Sequence, residues 1–344
     1  MSPQNRVEMQ QLPAEAVEYD SNHLRCIEPV TKGFITPIAV RRMSAVIKRA
    51  IVAAKICVAE SKIEKPDAII SGTGLGCMED TEKFLKAMID NEEKYLQPTS
   101  FIQSTHNTVS SQIAIALKCH GYNSTYVNRG FSFESSLLDG IMLLQDKQGK
   151  NIMVGSYDEM TPSYYKLLSR IGYWKKKQIK NTELLKNSET EGTIAGEGCV
   201  YFMLSSEKTE KSLVQVQDME MIYKPESYDD LQNQIISFLN RNNLENTDID
   251  LLVSGINGDK KFNTTYESVH NFLNTDIAYY KHLSGDYYTA SSFGLWAGIQ
   301  IIKSQNIPCY MLMTKKRDNK NISTILLFNN YRGSNLSLIL LKSC

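Results

Sequence analysis

The chain has 344 residues, 42% of them hydrophobic and 22% charged, which is ordinary for a globular protein that buries a sizeable core. Its 38 Lys and Arg residues balance its 38 Asp and Glu residues, so net charge favours neither a nucleic-acid partner nor an anionic membrane. The sequence has no long apolar run and begins with a polar, acidic segment. It therefore predicts a cytoplasmic protein without a membrane span or a signal peptide.

Seven cysteines are scattered along the chain without the spacing of metal ligands. They predict reduced thiols and no metal site, and no segment calls for a cofactor. Cys77 and Cys199 stand beside glycines in apolar surroundings, so we expect both to be buried and inert.

The first thirty or so residues predict a loose arm or short strands. Apolar residues at steps of three and four then predict a helix from Pro37 to about Ser61. Beyond it, short apolar runs alternate with helical patterns. Strands are predicted at 67–71, 124–128, 152–155 and 200–204, and helices at 80–91, 105–119 and 131–144.

A second series of strands and helices follows residue 208 or so. Its strands are predicted near 213–219, 251–254, 307–313, 325–328 and 336–341, and its helices near 228–241, 265–273 and 290–304. The Lys- and Asn-rich stretch from Lys175 to Glu191 has no periodicity and predicts an exposed loop. Two successive series of this kind predict a duplicated α/β architecture.

Seven segments, taken in chain order, resemble the β-ketoacyl synthase family and together cover most of the chain. They are RRMSAVIKRAIVAA (41–54), DAIISGTGLG (67–76), GYNSTYVNRGFSFESSLLDG (121–140), VGSYDE (154–159), AGEGCVYFML (195–204), KHLSGD (281–286) and NYRGSNLSLIL (330–340). The third segment resembles the strand and helix that carry the family's nucleophilic cysteine. The sixth resembles its Lys-x-x-x-Gly-His motif.

This resemblance implies an α/β fold of the thiolase type, with five layers in the order αβαβα. It implies two pseudo-duplicated halves, an N-terminal ketosynthase-like half at 1–206 and a C-terminal half at 207–344. It further implies a dimer that acts on acyl chains held by an acyl carrier protein, with a Cys-His-His catalytic set.

Transferred position by position, the resemblance implies that the catalytic set is missing. The cysteine position is Gly130, the first histidine position is Gly255 or Asn257, and the second is Asp286, while Lys281 is retained. Glycine cannot form a thioester, and aspartate has the wrong charge to stabilise an oxyanion. We therefore expect these to be vestigial positions with no catalytic residue among them.

The pattern of losses is similar to that of chain-length-factor, or ketosynthase-β, subunits, which pair with an active ketosynthase and help to shape its acyl tunnel. It implies a non-catalytic subunit of a heterodimer that makes a polyketide, aryl-polyene or fatty-acyl chain. Gly130 departs from the glutamine of the best-known members, which puts a decarboxylase role in doubt. The resemblance also implies that residues 101–134 form much of the dimer interface. Candidate tunnel or interface residues are His106, Phe131, Phe133, Glu134, Tyr287 and Phe293.

Two hypotheses remain beside this one. The chain could be an acyl-thioester enzyme whose chemistry has moved to His106, Lys281 or Asp286. It could also be a homodimeric acyl-binding scaffold. Ordinary core packing also explains the aromatic candidates.

Other motifs favour structural interpretations. GTGLG at 72–76 lacks the third glycine of a dinucleotide turn, and the neighbours Cys119 and His120 would point in different directions. Asp158, Glu159 and Glu197 are expected to be structural carboxylates. The basic run from Tyr173 to Lys180 predicts a solvated loop, with a carrier-protein contact as the alternative.

Overall fold

The computed structural model describes residues 1–4, 11–316 and 321–344. Within these ranges ten strands form two sheets, and helices cover both faces of each sheet. The strands are β1 (Ala68–Gly72), β2 (Asn123–Tyr126), β3 (Asn151–Asp158), β4 (Gly198–Ser205), β5 (Val214–Tyr223), β6 (Leu251–Ser254), β7 (Asp276–Tyr279), β8 (Leu312–Thr314), β9 (Thr324–Tyr331) and β10 (Asn335–Ser343).

Eleven α-helices lie within the described ranges. They are α1 (Pro37–Val40), α2 (Ala45–Ser61), α3 (Met78–Asp90), α4 (Pro98–Ser104), α5 (Thr108–Leu117), α6 (Ser132–Gln145), α7 (Pro162–Arg170), α8 (Tyr228–Arg241), α9 (Asn263–Leu273), α10 (Lys281–Ser284) and α11 (Ser291–Ser304). None of the helices in the described part of the chain is long and apolar enough to cross a membrane.

The first sheet has the strand order β2-β1-β3-β4, and the second has the order β5-β10-β9-β6-β7-β8. In the first, β1 runs parallel to β2 and β3, while β4 runs antiparallel to β3. In the second, β6 runs parallel to β7 and β9, while β10 runs antiparallel to β9. The two halves therefore repeat one topology, as the sequence predicts, and the predicted boundary at 206 falls in the segment between β4 and β5.

Alternation along the strands builds three apolar layers. On β9, Ile325 and Leu327 face the central layer with α6 and α11, while Leu326 and Phe328 face α8 and α9. On β3, Val154 faces the same central layer, while Met153 and Tyr157 face α2 and α5. Since strands buried on both faces need apolar residues throughout, these runs look continuous in the sequence. The result is the predicted five-layer αβαβα arrangement.

Several local predictions are wrong. The helix predicted from Pro37 to Ser61 is two helices, because Ser44 adopts an extended conformation and starts α2 afresh. The strand predicted at 307–313 is mostly a turn, in which the Pro308 carbonyl accepts hydrogen bonds from the amides of Met311 and Leu312 at 2.9 and 3.1 Å. The sequence analysis also missed α4, α7 and β7.

The predicted loop from Lys175 to Glu191 is not simply exposed. It contains two 3₁₀ turns, and Lys175, Asn181 and Leu184 are buried. The N-terminal segment is also more ordered than a loose arm, because the Leu24 amide donates to the Ala195 carbonyl at 2.9 Å. Neither segment has a periodic pattern of its own, since its buried residues pack against distant parts of the chain.

Candidate functional site

Gly130 lies in a 3₁₀ turn, Arg129–Phe131, that leads directly into α6. A Cβ atom built on Gly130 would lie 2.7 Å from Cβ, Cγ and Cδ1 of Tyr331. Real Cβ atoms essentially never approach other atoms so closely, so Tyr331 already fills the space that a side chain would need. Tyr331 is the last residue of β9, and so the second half of the chain supplies this obstruction.

Tyr331 belongs to a group of three rings that we call the tyrosine cluster: Tyr164, Tyr288 and Tyr331. The ring centroids of Tyr288 and Tyr331 are 5.0 Å apart, and the hydroxyls of Tyr164 and Tyr288 are hydrogen bonded at 2.9 Å. The Tyr288 ring lies on Gly74, where a Cβ would come within 2.2 Å of it. The cluster therefore covers both glycines where the first half approaches the second.

Lys281, Asp286 and Asn257 form a second group, which we call the polar cluster. Lys281 and Asp286 make an ion pair, and their side chains are only 1% and 2% exposed. The Asn257 amide donates to the free carboxylate oxygen of Asp286 at 2.9 Å. Both oxygens of Asp286 are thus engaged, so the cluster is a closed arrangement with its charges compensated.

The structure distinguishes the two positions that the sequence left open for the first histidine. Asn257 reaches Asp286, whereas a Cβ on Gly255 would lie 2.6 Å from the side-chain oxygen of Asn329. Only position 257 therefore has room for a side chain that points into the polar cluster.

The polar cluster and the tyrosine cluster are neighbours. Asp286 is two residues from Tyr288, whose ring contacts Tyr331. Burial raises the pKa of the Tyr331 phenol well above its ordinary value, and Tyr288 and the carboxylate of Asp286 raise it further while Arg332 lowers it. The positions assigned to the cysteine and the histidines therefore do converge in space, although none of them carries a thiol or an imidazole.

Two of the motifs used in the sequence comparison hold the polar cluster in place. The Asp286 amide donates to the Ile194 carbonyl at 2.8 Å, and the Gly196 amide donates to the Asp286 carbonyl at 3.0 Å. A Cβ on Gly196 would lie 2.0 Å from the Ser284 carbonyl oxygen, so this close approach requires glycine. The AGEG and KHLSGD segments thus join the two halves.

Glu134 is fully buried on α6 and accepts a hydrogen bond from the Ser337 hydroxyl of β10 at 2.8 Å. Burial raises the pKa of this carboxyl, while Ser291, Ser337 and the nearby Lys281 oppose the shift. Glu134 lies in the interior between the two sheets, so this tunnel or interface candidate does not reach the surface of the single chain.

The other candidates fall into two groups. Phe133, Tyr287 and Phe293 belong to the central apolar layer, as the ordinary-core interpretation predicts, and Phe131 is buried beside Gly130. His106 is exposed, with its ring close to Gly76 and its carbonyl accepting from the Tyr157 hydroxyl at 2.5 Å. The structure thus does not bring His106 together with the buried Lys281–Asp286 pair.

The three predicted structural carboxylates each join separate segments. Asp158 accepts from the Gly74 amide and the Thr289 amide at 2.8 and 2.9 Å, so it ties the glycine turn to the second half. Glu159 accepts from the Glu79 amide at 2.9 Å, and Glu197 from the Cys26 amide at 2.9 Å. Each makes hydrogen bonds to the backbone, as a structural role requires.

The cysteines are all free, and Cys77 and Cys199 are buried. Burial raises the pKa of the Cys199 thiol to about 12, which leaves it protonated and unreactive near neutral pH. Cys119 donates to the Pro66 carbonyl at 3.3 Å while His120 is exposed, so these neighbours do not form a dyad.

The basic run is only partly a solvated loop. Lys176 and Lys177 are exposed, but the Lys175 ammonium is buried and donates to the carbonyls of Asn187, Thr190 and Gly258 at 2.7–2.8 Å. Burial lowers the pKa of Lys175 to about 8. Lys175 is therefore a structural cation that fixes the 175–191 segment to the second half.

Sequence reasoning missed Tyr164, Tyr331 and Arg332. Arg332 lies over the Tyr173 ring, with its guanidinium carbon 3.3 Å from the ring centroid. The segment Asn330 to Leu340 resembles a glycine-rich loop of the family, and the bulky pair Tyr331–Arg332 within it was the available signal. What the sequence does not show is that Tyr331 faces Gly130 across 200 residues of chain.

A model of the family described as "Beta-ketoacyl synthase, N-terminal domain" matches residues 15–175. A search of curated proteins found no match. Among solved structures, the chain is similar to the ishigamide ketosynthase/chain length factor, with 16% identity, a TM-score of 0.76, and 93% of this chain and 87% of that one covered.

Two further structures give the same result. A β-ketoacyl synthase from Burkholderia phymatum has 12% identity and a TM-score of 0.74, over 94% of this chain and 88% of that one. A ketosynthase in complex with its chain length factor from Xenorhabdus doucetiae has 12% identity and a TM-score of 0.73, over 97% and 91%. Residues 15–175 are therefore similar to the N-terminal domain of β-ketoacyl synthases, and the chain as a whole has the thiolase-like fold of ketosynthases.

Proposed function

We propose that this chain is a ketosynthase-like subunit without condensing chemistry of its own, which pairs with an active ketosynthase and shapes the channel for a growing acyl chain. The proposal rests on one observation, which is that neighbouring side chains already occupy both the tyrosine cluster and the polar cluster. Tyr331 fills the space beside Gly130, and Asp286 is already committed to Lys281 and Asn257. A nucleophile and a free oxyanion donor are what condensation needs, and neither cluster offers one.

Exposed apolar side chains support a partner at the predicted interface. Within 101–134 they are Phe101, Ile102, Ile115, Tyr122 and Val127, which are between 45% and 70% exposed. Exposed apolar side chains that lie together mark protein–protein contacts on soluble proteins. Solved structures with this fold include a ketosynthase with its chain length factor, and we propose the corresponding pairing for this chain.

An acyl carrier protein is the second proposed partner. A type II polyketide carrier protein in complex with its ketosynthase is among the similar structures, with a TM-score of 0.69. Here the exposed Lys176 and Lys177 offer a small basic surface that suits an acidic carrier protein. Lys180 is engaged with Glu18 at 2.6 Å and contributes less.

Co-expression with a ketosynthase that carries an intact Cys-His-His set tests the pairing. We expect a one-to-one complex, and acyl-chain products only when both subunits and an acyl carrier protein are present. Ile115→Asp should weaken the complex at least tenfold, because a charge would be buried in the interface. Ile171→Asp is the matched control, since Ile115 and Ile171 are 70% and 63% exposed and Ile171 lies outside 101–134.

Two results would overturn the proposal. One is turnover of an acyl thioester by the isolated chain that is lost on changing His106, Lys281 or Asp286, which would favour relocated catalysis. The other is a stable homodimer that no ketosynthase dissociates, which would favour an acyl-binding scaffold. Native mass measurement of the chain alone and with the ketosynthase distinguishes these cases.

A further inference from the structure

β2 is the outer strand of the first sheet, and among the described residues no strand pairs with its outer edge. The carbonyls of Tyr122 and Tyr126 accept hydrogen bonds from the β1 segment at 2.9 and 3.0 Å. Since alternate residues of a strand direct their backbone groups to opposite edges, Asn123 and Thr125 present theirs to the outer edge. We call this strand with its two flanks, residues 118–129, the β2 edge.

Both flanks of the β2 edge carry cationic or titratable basic side chains, and neither carries a carboxylate. Lys118 and His120 precede β2, Arg129 follows it, and all three are exposed. The one acidic residue within 101–134 is Glu134, which is buried in the interior. The predicted interface is therefore apolar and positively charged on its outside.

Arg129 is the residue on this edge that the single chain does not explain. Its backbone is in the left-handed region, with φ of 46°, which is unfavourable for a residue with a side chain. Its guanidinium is exposed and makes no hydrogen bond, ion pair or ring contact within the described part of the chain. A planar guanidinium suits a carboxylate, and a carboxylate for Arg129 would have to come from another polypeptide.

A second copy of this chain does not offer that carboxylate. Two identical edges related by a twofold axis pair antiparallel, so the flank after β2 in one copy lies against the flank before β2 in the other. Arg129 would then lie near Lys118 and His120 of the second copy, and like charges across an interface weaken association. Asp139 on α6 is half-buried and already accepts from the Tyr122 hydroxyl at 3.1 Å.

We propose that the charges of the β2 edge choose its partner: Arg129 and Lys118 favour a ketosynthase subunit with carboxylates beside its own outer strand, and they oppose a second copy of this chain. This inference rests on the pairing proposed above and gives a physical reason for a heterodimer over a homodimer. The exposed apolar side chains of Ile115, Tyr122 and Val127 supply contact area to either partner, so the cations make the distinction.

Protection of a free edge is the competing explanation for these cations. Charged side chains beside an outer strand prevent pairing with other chains, and a protecting charge works with either sign. Selection of a partner depends on the sign, so charge reversal separates the two roles.

Reversals in the isolated chain test the selection without any ketosynthase. Sedimentation velocity at low ionic strength, where screening is weak, should show a monomeric wild-type chain. Arg129→Glu should strengthen self-association at least tenfold, because the new carboxylate lies near Lys118 of the second copy. Lys118→Glu should do the same, whereas the double variant Lys118→Glu/Arg129→Glu should return to a monomer, since like charges meet again. If Arg129→Glu unfolds, Lys118→Glu carries the same test.

Binding to a ketosynthase with an intact Cys-His-His set tests the other half. Arg129→Glu should weaken this complex at least tenfold and Arg129→Ala should weaken it less, because the first change repels the partner's carboxylate and the second only loses it. Arg170→Glu is the matched control, since Arg170 is an exposed arginine outside the β2 edge and should leave both equilibria unchanged.

Two results would overturn the inference while the proposed function stands. They are a ketosynthase complex that Arg129→Glu leaves unchanged, and self-association that neither single reversal strengthens, which would assign the cations to edge protection. A wild-type chain that binds no ketosynthase would overturn the proposed pairing, and the choice of partner with it. The reversals of the isolated chain would still show whether the β2 edge opposes its own copy.

Discussion

The tyrosine cluster and the polar cluster lie side by side, but different physics closes each of them. Around Gly130 the space is filled by aromatic rings, so steric overlap prevents a side chain at this position. Asp286 is paired with the cation of Lys281 and hydrogen bonded to Asn257, so its carboxylate is electrostatically compensated and not free for another partner. Introducing a cysteine at 130 or a histidine at 286 would therefore not by itself create an open site, because neighbouring side chains already occupy or pair with each position.

Removing the cation of the polar cluster should give the largest effect. Lys281→Met leaves the carboxylate of Asp286 buried with Asn257 as its remaining side-chain partner. We expect a loss of about 3–5 kcal/mol of unfolding free energy, measured by urea denaturation, because an uncompensated buried charge is that costly.

The double variant Lys281→Met/Asp286→Leu should recover most of this loss, since no charge then remains unpaired. Lys303→Met, at an exposed position near the end of α11, is the control and should change stability by less than about 0.5 kcal/mol. A loss below about 1 kcal/mol in Lys281→Met would show that the ion pair is not the element that holds this cluster.

Glu159 is a buried carboxyl with acidic neighbours, Glu79 and Glu197, whereas Asp286 is paired with a cation. Burial and these like charges raise its pKa to about 8, well above 4.5. The folded state then keeps a proton that the unfolded state has lost, so stability is highest below pH 4.5 and falls as pH rises toward 8.

Glu159→Gln should remove this slope. Between pH 5 and pH 7 we expect the wild-type protein to lose about 3 kcal/mol relative to the variant, because each pH unit within the window is worth about 1.4 kcal/mol. Urea denaturation at both pH values measures it, with the exposed Glu93→Gln as control. Parallel curves for the wild type and Glu159→Gln would mean that Glu159 is ionised in the folded state.

Gly130→Cys tests the steric side of the comparison. The new side chain would overlap Tyr331, so we expect a loss of about 2 kcal/mol of unfolding free energy. In a Tyr331→Ala background the same change should cost less than about 0.5 kcal/mol, because the space is then open. Equal costs in both backgrounds, measured by thermal and urea denaturation, would exclude Tyr331 as the obstruction.

Much of this arrangement could be predicted from the sequence, but contacts between residues far apart in the chain could not. Most strands and the repeated topology follow from apolar runs, and ordered motifs point to positions 130, 281 and 286 but leave 255 and 257 open. The ring that covers Gly130 could not be predicted, because Tyr331 reaches it only through tertiary packing. The buried Lys175 was predicted to be solvated for a similar reason, since its carbonyl partners come from Asn187, Thr190 and Gly258.

Arg332 at the margin of the tyrosine cluster should give the smallest effect. It occupies a left-handed conformation, with φ of 57°, in the turn between β9 and β10, which is unfavourable for a residue with a side chain. Its planar guanidinium lies 3.3 Å from the centroid of the Tyr173 ring, and this stacking offsets the backbone strain. Arg332→Lys keeps the charge but loses the plane, so we expect a loss of about 1 kcal/mol.

Tyr173→Phe keeps the ring and should be nearly neutral, while Arg170→Lys at an exposed position controls for the change of side chain. Thermal denaturation measures all three variants. If Arg332→Lys is as stable as the wild type, the positive charge and not the planar stacking stabilises the contact with Tyr173. The edge of the tyrosine cluster would then depend on electrostatics, as the polar cluster does. If only Arg332→Lys loses stability, planar stacking stabilises the contact. The close packing of the tyrosine cluster would then include Arg332 and Tyr173 as well as the three rings.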